Sequence, residues 1–351
     1  MTKEKYKGIF FCLLISIPAW YLGKLMPIIG GPVFSIAIGI IVGMVMGNRK
    51  EGFEPGIAFV SKKVLQYAVI LLGFGLNLQM IVKVGKESLP IIVCTIATSL
   101  INSYFLSKKL NIPKKISILV GVGSSICGGS AIAATAPVID ADSDEIAQAI
   151  SVIFFFNIIA ALIFPTMGDL MGLTNQGFAI FAGTAVNDTS SVTAAASSWD
   201  SIHKTGTMVL DSATVVKLTR TLAIIPITFF LSLHFSKKEE KDGYFSIYKI
   251  GKMIPTFILY FVACSIITTL CEMLISKGSI SGTLATGIPE FFTFMKVVSK
   301  FFIVMAMGAI GLNTDIVKLI KTGGKPILLG TFCWIGIIVV SLLMQKTMGL
   351  L

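Results

Sequence analysis

The residues best equipped for chemistry in this chain are small ones. The run Gly121-Val122-Gly123-Ser124-Ser125-Ile126-Cys127-Gly128-Gly129-Ser130 concentrates glycine and serine inside an otherwise apolar stretch. Glycine costs a helix about 1 kcal/mol per position relative to alanine, so the run reads as unwound or tightly packed backbone. Two uses fit it. One is close packing of helices through small residues. The other is a discontinuous helix whose freed amides and hydroxyls, at Gly123, Ser124, Ser125, Cys127, Gly128, Gly129 and Ser130, meet an anion near the middle of a membrane, where helix N-termini favour negative charge. A second copy, Gly183-Thr184-Ala185-Val186-Asn187-Asp188-Thr189-Ser190-Ser191, aligns with the first at a constant offset, Gly123 with Gly183, Ser130 with Ser190 and Ala134 with Ala194. It adds Thr184, Asn187, Thr189 and Ser190 as candidate ligands and Asp188 as a carboxylate.

Ionisable groups inside apolar segments are the next signal, because each costs at least ~2.5 kcal/mol within a span and marks a pathway or a partnered site. Lys217 and Arg220 are three residues apart and share one helix face. They suit neutralisation of Asp188, or the holding of an anion, and the two uses are compatible: two cations against one carboxylate leave one positive charge over. Asp211 is a candidate for that surplus. Asp188 is the expected titrating group, Asn157 is a second coupling-ion candidate, and Asn157 and Gln148, in the helix after the first broken segment, are lining candidates. Asp315 reads as interfacial. Asp140, Asp142, Asp144 and Glu145 read as a solvated loop and helix N-terminal charge, since they lack the spacing and glycine of a calcium loop.

Enzymatic readings are poorer. Ser124 or Ser125 as nucleophile with Lys217 as base would have no histidine placed to assist, so the chain is not expected to be an enzyme. The cysteines (Cys12, Cys94, Cys127, Cys264, Cys271, Cys333) are scattered through apolar segments, and His203 and His234 do not make a metal site. Free thiols, no metal and no cofactor are the expectation, and no nucleotide-binding signature is present.

The elements that must position these residues are membrane spans. Of 351 residues, 54% are hydrophobic and 13% charged, which excludes a chain that is mostly water-facing surface. Apolar segments fall at about 8–26, 28–47, 57–82, 88–106, 116–139, 145–167, 176–198, 207–234, 250–275, 291–313 and 325–345. They predict an all-α polytopic membrane protein of about 10–11 membrane segments, a single integral domain over 1–351, with 116–139 and 176–198 as the broken segments. The first stretch resembles a signal peptide but runs on past Trp20 without a small-residue cleavage site, so it reads as a retained helix. The net charge of +11 sits in short loops: Lys3, Lys5 and Lys7, Arg49 and Lys50, Lys108 to Lys115, Lys237 to Lys241 and Lys318 to Lys325 all fall on one side if the N-terminus is cytoplasmic, with Lys83 and Lys86 as exceptions. That distribution points to an inner-membrane protein whose partners are the lipid bilayer and a small anion, not nucleic acid; assembly as a homo-oligomer stays open.

Internal repetition narrows the class. Gly75-Leu76-Asn77 recurs as Gly311-Leu312-Asn313, and Pro90-Ile91 as Pro326-Ile327 at the same offset, so 57–106 pairs with 291–345. In this orientation the copies run in opposite directions, the pattern of inverted-repeat transporters. The two broken copies, by contrast, run the same way if both cross the membrane. If each is instead a re-entrant hairpin, with tips near Ser125 and Asn187, the first opens inward and the second outward.

Gly123-Ser124-Ser125-Ile126-Cys127-Gly128, Ala133-Ala134-Thr135-Ala136-Pro137-Val138, Gly183-Thr184-Ala185-Val186 and Lys325-Pro326-Ile327-Leu328 together resemble the YeiH-type family of bacterial membrane proteins, over nearly the whole chain. The resemblance implies a distant relation to cation/proton antiporters and bile-acid symporters, with inverted repeats and broken crossing helices, and export of sulfate or an organosulfonate. Where a relative carries His-Glu in the second broken segment, this chain has Asn187-Asp188, which leaves substrate and coupling ion open. The resulting expectation is a secondary transporter of a small anion working by alternating access, coupled to H+ or Na+, with an anion channel as the alternative and an intramembrane hydrolase as a remote third.

Overall fold

A computed structural model describes residues 3–26, 31–47, 52–235, 256–277, 283–314 and 316–351. Arg49, Lys50, Asp315 and the whole charged loop over 236–255 lie outside this set. The described residues are helical, without strands, as lipid demands of a chain that must satisfy its own backbone. Among the described residues, eight helices are long and apolar enough to cross a membrane, and Gly31–Met46 and Gly129–Val138 are shorter apolar helices. Every apolar segment read from the sequence has its helix or broken pair of helices. The protein is an all-α, multi-pass membrane protein.

The chain forms two compact units, 1–84 with 193–214 and 256–315, and 85–192 with 215–255 and 316–351. Unit 1 contains α1 (Lys3–Leu25), α2 (Gly31–Met46), α3 (Glu54–Phe59), a π-turn at Val60–Val64, α4 (Leu65–Leu72), and, later in the chain, two long helices here numbered α13 (Thr256–Ser276) and α14 (Thr283–Asn313). Its packing relies on missing side chains. Gly39 of α2 lies against the backbone of Gly308 and Gly311 of α14, and Gly311 lies in turn against Ile36 and Ile40, so the two helices touch main chain to main chain. Where lipid supplies no hydrophobic drive between helices, such contact and polar bonds are what hold them. Ser35 Oγ donates to the Val304 carbonyl at 2.6 Å and Ser299 Oγ to Ala68 at 2.7 Å.

Unit 2 begins within α5 (Leu78–Leu110) and holds α6 (Lys114–Ser125), α7 (Gly129–Thr135), α8 (Ser143–Leu170), α9 (Asn175–Ala185), α12 (Ile224–Phe235) and α15 (Ile316–Thr347). Three of the described helices pass from one unit to the other: α5, between Val84 and Gly85, α10 (Thr189–His203), between Val192 and Thr193, and α11 (Met208–Thr221), between Thr214 and Val215. The acidic run at Asp140 to Glu145 does the work expected of it. Asp142 caps α8, accepting from the Glu145 amide at 2.8 Å while Glu145 accepts from the Asp142 amide at 3.0 Å, a reciprocal capping box.

The segment 114–140 turns back on itself. Lys115, at the start of α6, donates to the carbonyl of Asp140, beyond α7, at 2.5 Å and pairs with Glu145 at 3.9 Å. A continuous helix of that length would separate its ends by about 37 Å at 1.5 Å per residue. Ile112, Ile116, Leu119, Ile132, Ala136 and Ile139 accordingly share one buried cluster with Val152, Ile153 and Phe156 of α8. The first broken segment is therefore a hairpin of two short helices.

Candidate functional site

The site is built where two helices stop inside unit 2. α6 ends at Ser125; Ile126 leaves the helix at φ −120°, ψ −91°, and Gly128 takes φ +69°, ψ −128°, a backbone that favours glycine, before α7 begins. The turn is closed by the Gly128 amide donating to the Gly123 carbonyl at 3.0 Å. α9 ends at Ala185, Val186 is extended at φ −94°, ψ 134°, and α10 starts at Thr189. The two interruptions meet. A methyl group on Gly128 would stand 3.5 Å from Cβ of Asp188 and 3.7 Å from Nδ2 of Asn157, and Asn157 Oδ1 accepts from the Asp188 amide at 3.1 Å.

A helix that stops in the interior strands its last carbonyls, and α11 supplies the donors. Lys217, 0% exposed, gives its three N–H bonds to the carbonyls of Ile126 (2.6 Å), Val186 (3.0 Å) and Asn187 (2.5 Å). Arg220, also 0% exposed, donates through Nε to Ser125 at 2.7 Å, through Nη2 to Ser124 at 2.6 Å and through Nη1 to Val186 at 3.3 Å. Trp334 of α15 caps the last carbonyl of α9, Ala185, at 3.1 Å. Cations at helix C-termini oppose the negative end of the helix dipole, so both charges stand where two such ends converge. The sequence reading gave Lys217 and Arg220 the choice of Asp188 or an anion; every bond described for them goes to main-chain oxygen.

Asp188 is half-buried at the N-terminus of α10, where its carboxylate accepts from the Ser190 amide at 3.1 Å and from Ser190 Oγ. Beside it, Asn187 is 1% exposed and its side-chain oxygen has no hydrogen-bond partner. The other small residues divide by place. Ser130 Oγ bonds the Cys127 carbonyl at 3.0 Å and its sulfur at 2.9 Å, and Ser125 Oγ bonds Val122 within its own helix. Gly123 is packing space, since a methyl there would meet Ile132 and Ile153 at 3.0 Å. Gly129 and Thr189 open α7 and α10. Thr184 stands a turn back from the break, bonded to Ser341 of α15 at 2.7 Å, with Gln345 continuing that polar track at 3.2 Å.

The family described as conserved hypothetical protein 698 matches residues 7–330. The chain is 63% identical over 347 residues to a UPF0324 membrane protein of Fusobacterium nucleatum subsp. nucleatum, covering 99% of both chains. It is 58% identical over 349 residues to a UPF0324 membrane protein of Streptococcus agalactiae serotype V, again covering 99% of each, and 58% identical over 350 residues to one of Streptococcus mutans, covering 99% of this chain and 98% of that one. The chain belongs to the UPF0324 family. That family includes YeiH, so the likeness read from the Gly-Ser-Ser-Ile-Cys-Gly block holds. No solved structure matches the chain.

Within this UPF0324 member, sequence reasoning named most of the junction and missed its neighbours. Trp334 gave no signal, because an indole in an apolar helix reads as lipid-facing surface. Lys296 and Lys300 of α14, four apart in an apolar segment, carried the same signal as Lys217 and Arg220 and went unread; so did Asp200 of α10. These join Asp211 in unit 1.

Proposed function

We propose that the protein is a secondary transporter of a small anion, with its binding site at the junction of the two helix breaks and with a proton as the coupled ion. The observation that carries this reading is the charge balance at the junction. Lys217 and Arg220 contribute two positive charges, fully buried. The C-terminal ends of α6 and α9, which they cap, contribute about half a negative charge each, and Asp188 contributes one when ionised. The N-terminal ends of α10 and of the shorter α7, which open at the same junction, add up to about half a positive charge each, so the junction carries an excess of up to about one positive charge with Asp188 ionised and up to about two with Asp188 protonated. Excess charge in a span is costly, and an anion seated against Gly128, Asn157, Asn187 and Ser190 offsets it. Proton and anion then favour each other, and reciprocally so.

The cations act by holding the stranded carbonyls in place and setting the local potential, not by touching the cargo. Serine and asparagine side chains facing glycine backbone suit an oxyanion, and sulfate or a sulfonate fits both that chemistry and the family resemblance. A topology with a cytoplasmic N-terminus in the inner membrane accounts for the lysine-rich loops. It also accounts for two proximities, each internal to one unit. The start of α9 lies by the chain's last residues, Gly177 against Leu350, and the end of α10 shares a cavity with the end of α1 and the start of α2. If spans alternate and 114–140 returns to its own side, all of these ends face outward, and 175–203 returns to its own side as well.

Uptake into proteoliposomes tests the function. Sulfate, small sulfonates and small carboxylates would be compared with and without proton and sodium gradients. The expected result is saturable, substrate-specific uptake of one of these classes that an inward proton gradient accelerates and a sodium gradient does not. Unsaturable anion current would favour a channel instead.

A further inference from the structure

Unit 1 holds a second group of charged side chains that the junction does not use. Asp200 of α10 is fully provided for: it accepts from the amides of Val209 at 3.1 Å and Leu210 at 2.9 Å and from Thr205 Oγ1, and so ties the start of α11 to the end of α10. Asp211, within α11, is not. Its Oδ2 accepts from Thr207 Oγ1 at 2.9 Å and pairs with Lys296 of α14 at 3.4 Å, while Oδ1 is buried and has no hydrogen-bond partner. Lys300 of α14 donates to the Gly206 carbonyl in the turn between α10 and α11. The charged groups within electrostatic reach of Asp211 are Lys296, Lys300 and Asp200.

A cavity of about 360 Å³ adjoins this group, lined by Trp20 and Lys24 of α1, Ser197 and Ser201 of α10, and Lys300 itself. At about 30 Å³ per molecule it has room for roughly ten waters, for which Lys24, Ser197, Ser201 and Lys300 are polar partners in an otherwise mostly apolar lining that includes Pro32, Val297 and Val304. Lys300 both lines this cavity and reaches the turn beside Asp211.

An ionised carboxylate has capacity for about four hydrogen bonds, and leaving one oxygen of it bare in the interior is expensive. Sodium is a poor remedy beside the ammonium of Lys296, because it needs a shell of several oxygen ligands at once. A proton requires no such shell. We infer that Asp211 is a proton-binding site reached through this cavity, with Lys296 as the counter-charge that protonation releases. In the step, a hydronium arriving from the cavity gives its proton to Oδ1, one O–H bond forms, a water is left behind, and Lys296 keeps its own proton and its bond to Thr207 Oγ1 at 3.2 Å but loses its charged partner. One positive charge thereby enters unit 1. The inference is independent of the cargo assigned to the junction.

Infrared difference spectroscopy on the protein in lipid nanodiscs, titrated with acid, tests this without any transport assay. The wild type is expected to show a carboxylic C=O band that Asp211→Asn lacks and Asp200→Asn retains. In Lys296→Met, which keeps the carboxyl group, that band should persist to a pH higher by at least about one unit, because an opposing positive charge has gone. In deuterated water the band should shift promptly, and more slowly in Ser201→Leu, which fills the cavity. An acid titration of the wild type in which no such band appears, or one unaffected by Lys296→Met, would overturn the inference, and neither result bears on the anion site.

Discussion

At the level of single residues, the account turns on what Lys217 and Arg220 do. Their spacing and burial were legible in the sequence; their partners were not, because a helix face says nothing about which main-chain oxygens it will meet. Between them they serve the carbonyls of Ser124, Ser125, Ile126, Val186 and Asn187. Removing either strands buried acceptors at about 1–3 kcal/mol each. Lys217→Met and Arg220→Met are expected to abolish transport and to lower the melting temperature in detergent, and Arg220→Lys, with one point charge where a fork is used, should fail to restore either. Melting temperatures unchanged from wild type would show that the caps are not structural. Gly128 is a second residue-scale test. Its φ of +69° with ψ −128° makes Gly128→Ala cost on the order of 1–3 kcal/mol, and the added methyl would meet Ile153 at 3.2 Å. The uptake assay should register this as lost activity in protein that still folds.

Among the elements, the breaks at 126–128 and 186–188 were read from composition alone, because glycine and hydroxyl residues inside an apolar run are a local signal. The way the first pair of helices folds back is a tertiary fact. It depends on Lys115 reaching Asp140 and on Ile116 meeting Ile139's cluster, and periodicity cannot distinguish a hairpin from a crossing of the same length. Thiol labelling separates them. With Cys94, Cys264 and Cys271 replaced, Lys114→Cys and Asp144→Cys, both at exposed positions, are expected to react with a membrane-impermeant maleimide from the same face. Reaction from opposite faces would contradict the hairpin. The contact of α2 with α14 makes a related point. Gly39 and Gly311 were two glycines among 33 in the sequence, and only the packed helices reveal that their backbones touch. Gly39→Leu should separate α2 from α14 and cost expression and thermal stability, a loss that size-exclusion profiles and melting curves would record.

For the whole molecule, the sequence made the solvent plain: a chain 54% hydrophobic and 13% charged belongs in lipid, and the few charges left inside the spans were bound to matter. What it left open is how those charges divide. One set, at the junction of the breaks, lies wholly in unit 2; the other, around Asp211, lies wholly in unit 1. The account assigns the anion to the first, and its central claim is that protonation of Asp188 and occupancy by an anion are one linked event. Calorimetric titration of sulfate and a small sulfonate into nanodisc-embedded protein, across a range of pH, addresses this most directly. In the wild type, binding should strengthen as the pH falls. In Asp188→Asn, which is permanently neutral at that position, binding should be tight and indifferent to pH, stronger than wild type at neutral pH by at least about fivefold, the equivalent of the ~1 kcal/mol that two unit charges about 4 Å apart exchange even in water. Anion binding that keeps its full pH dependence in Asp188→Asn would contradict the account.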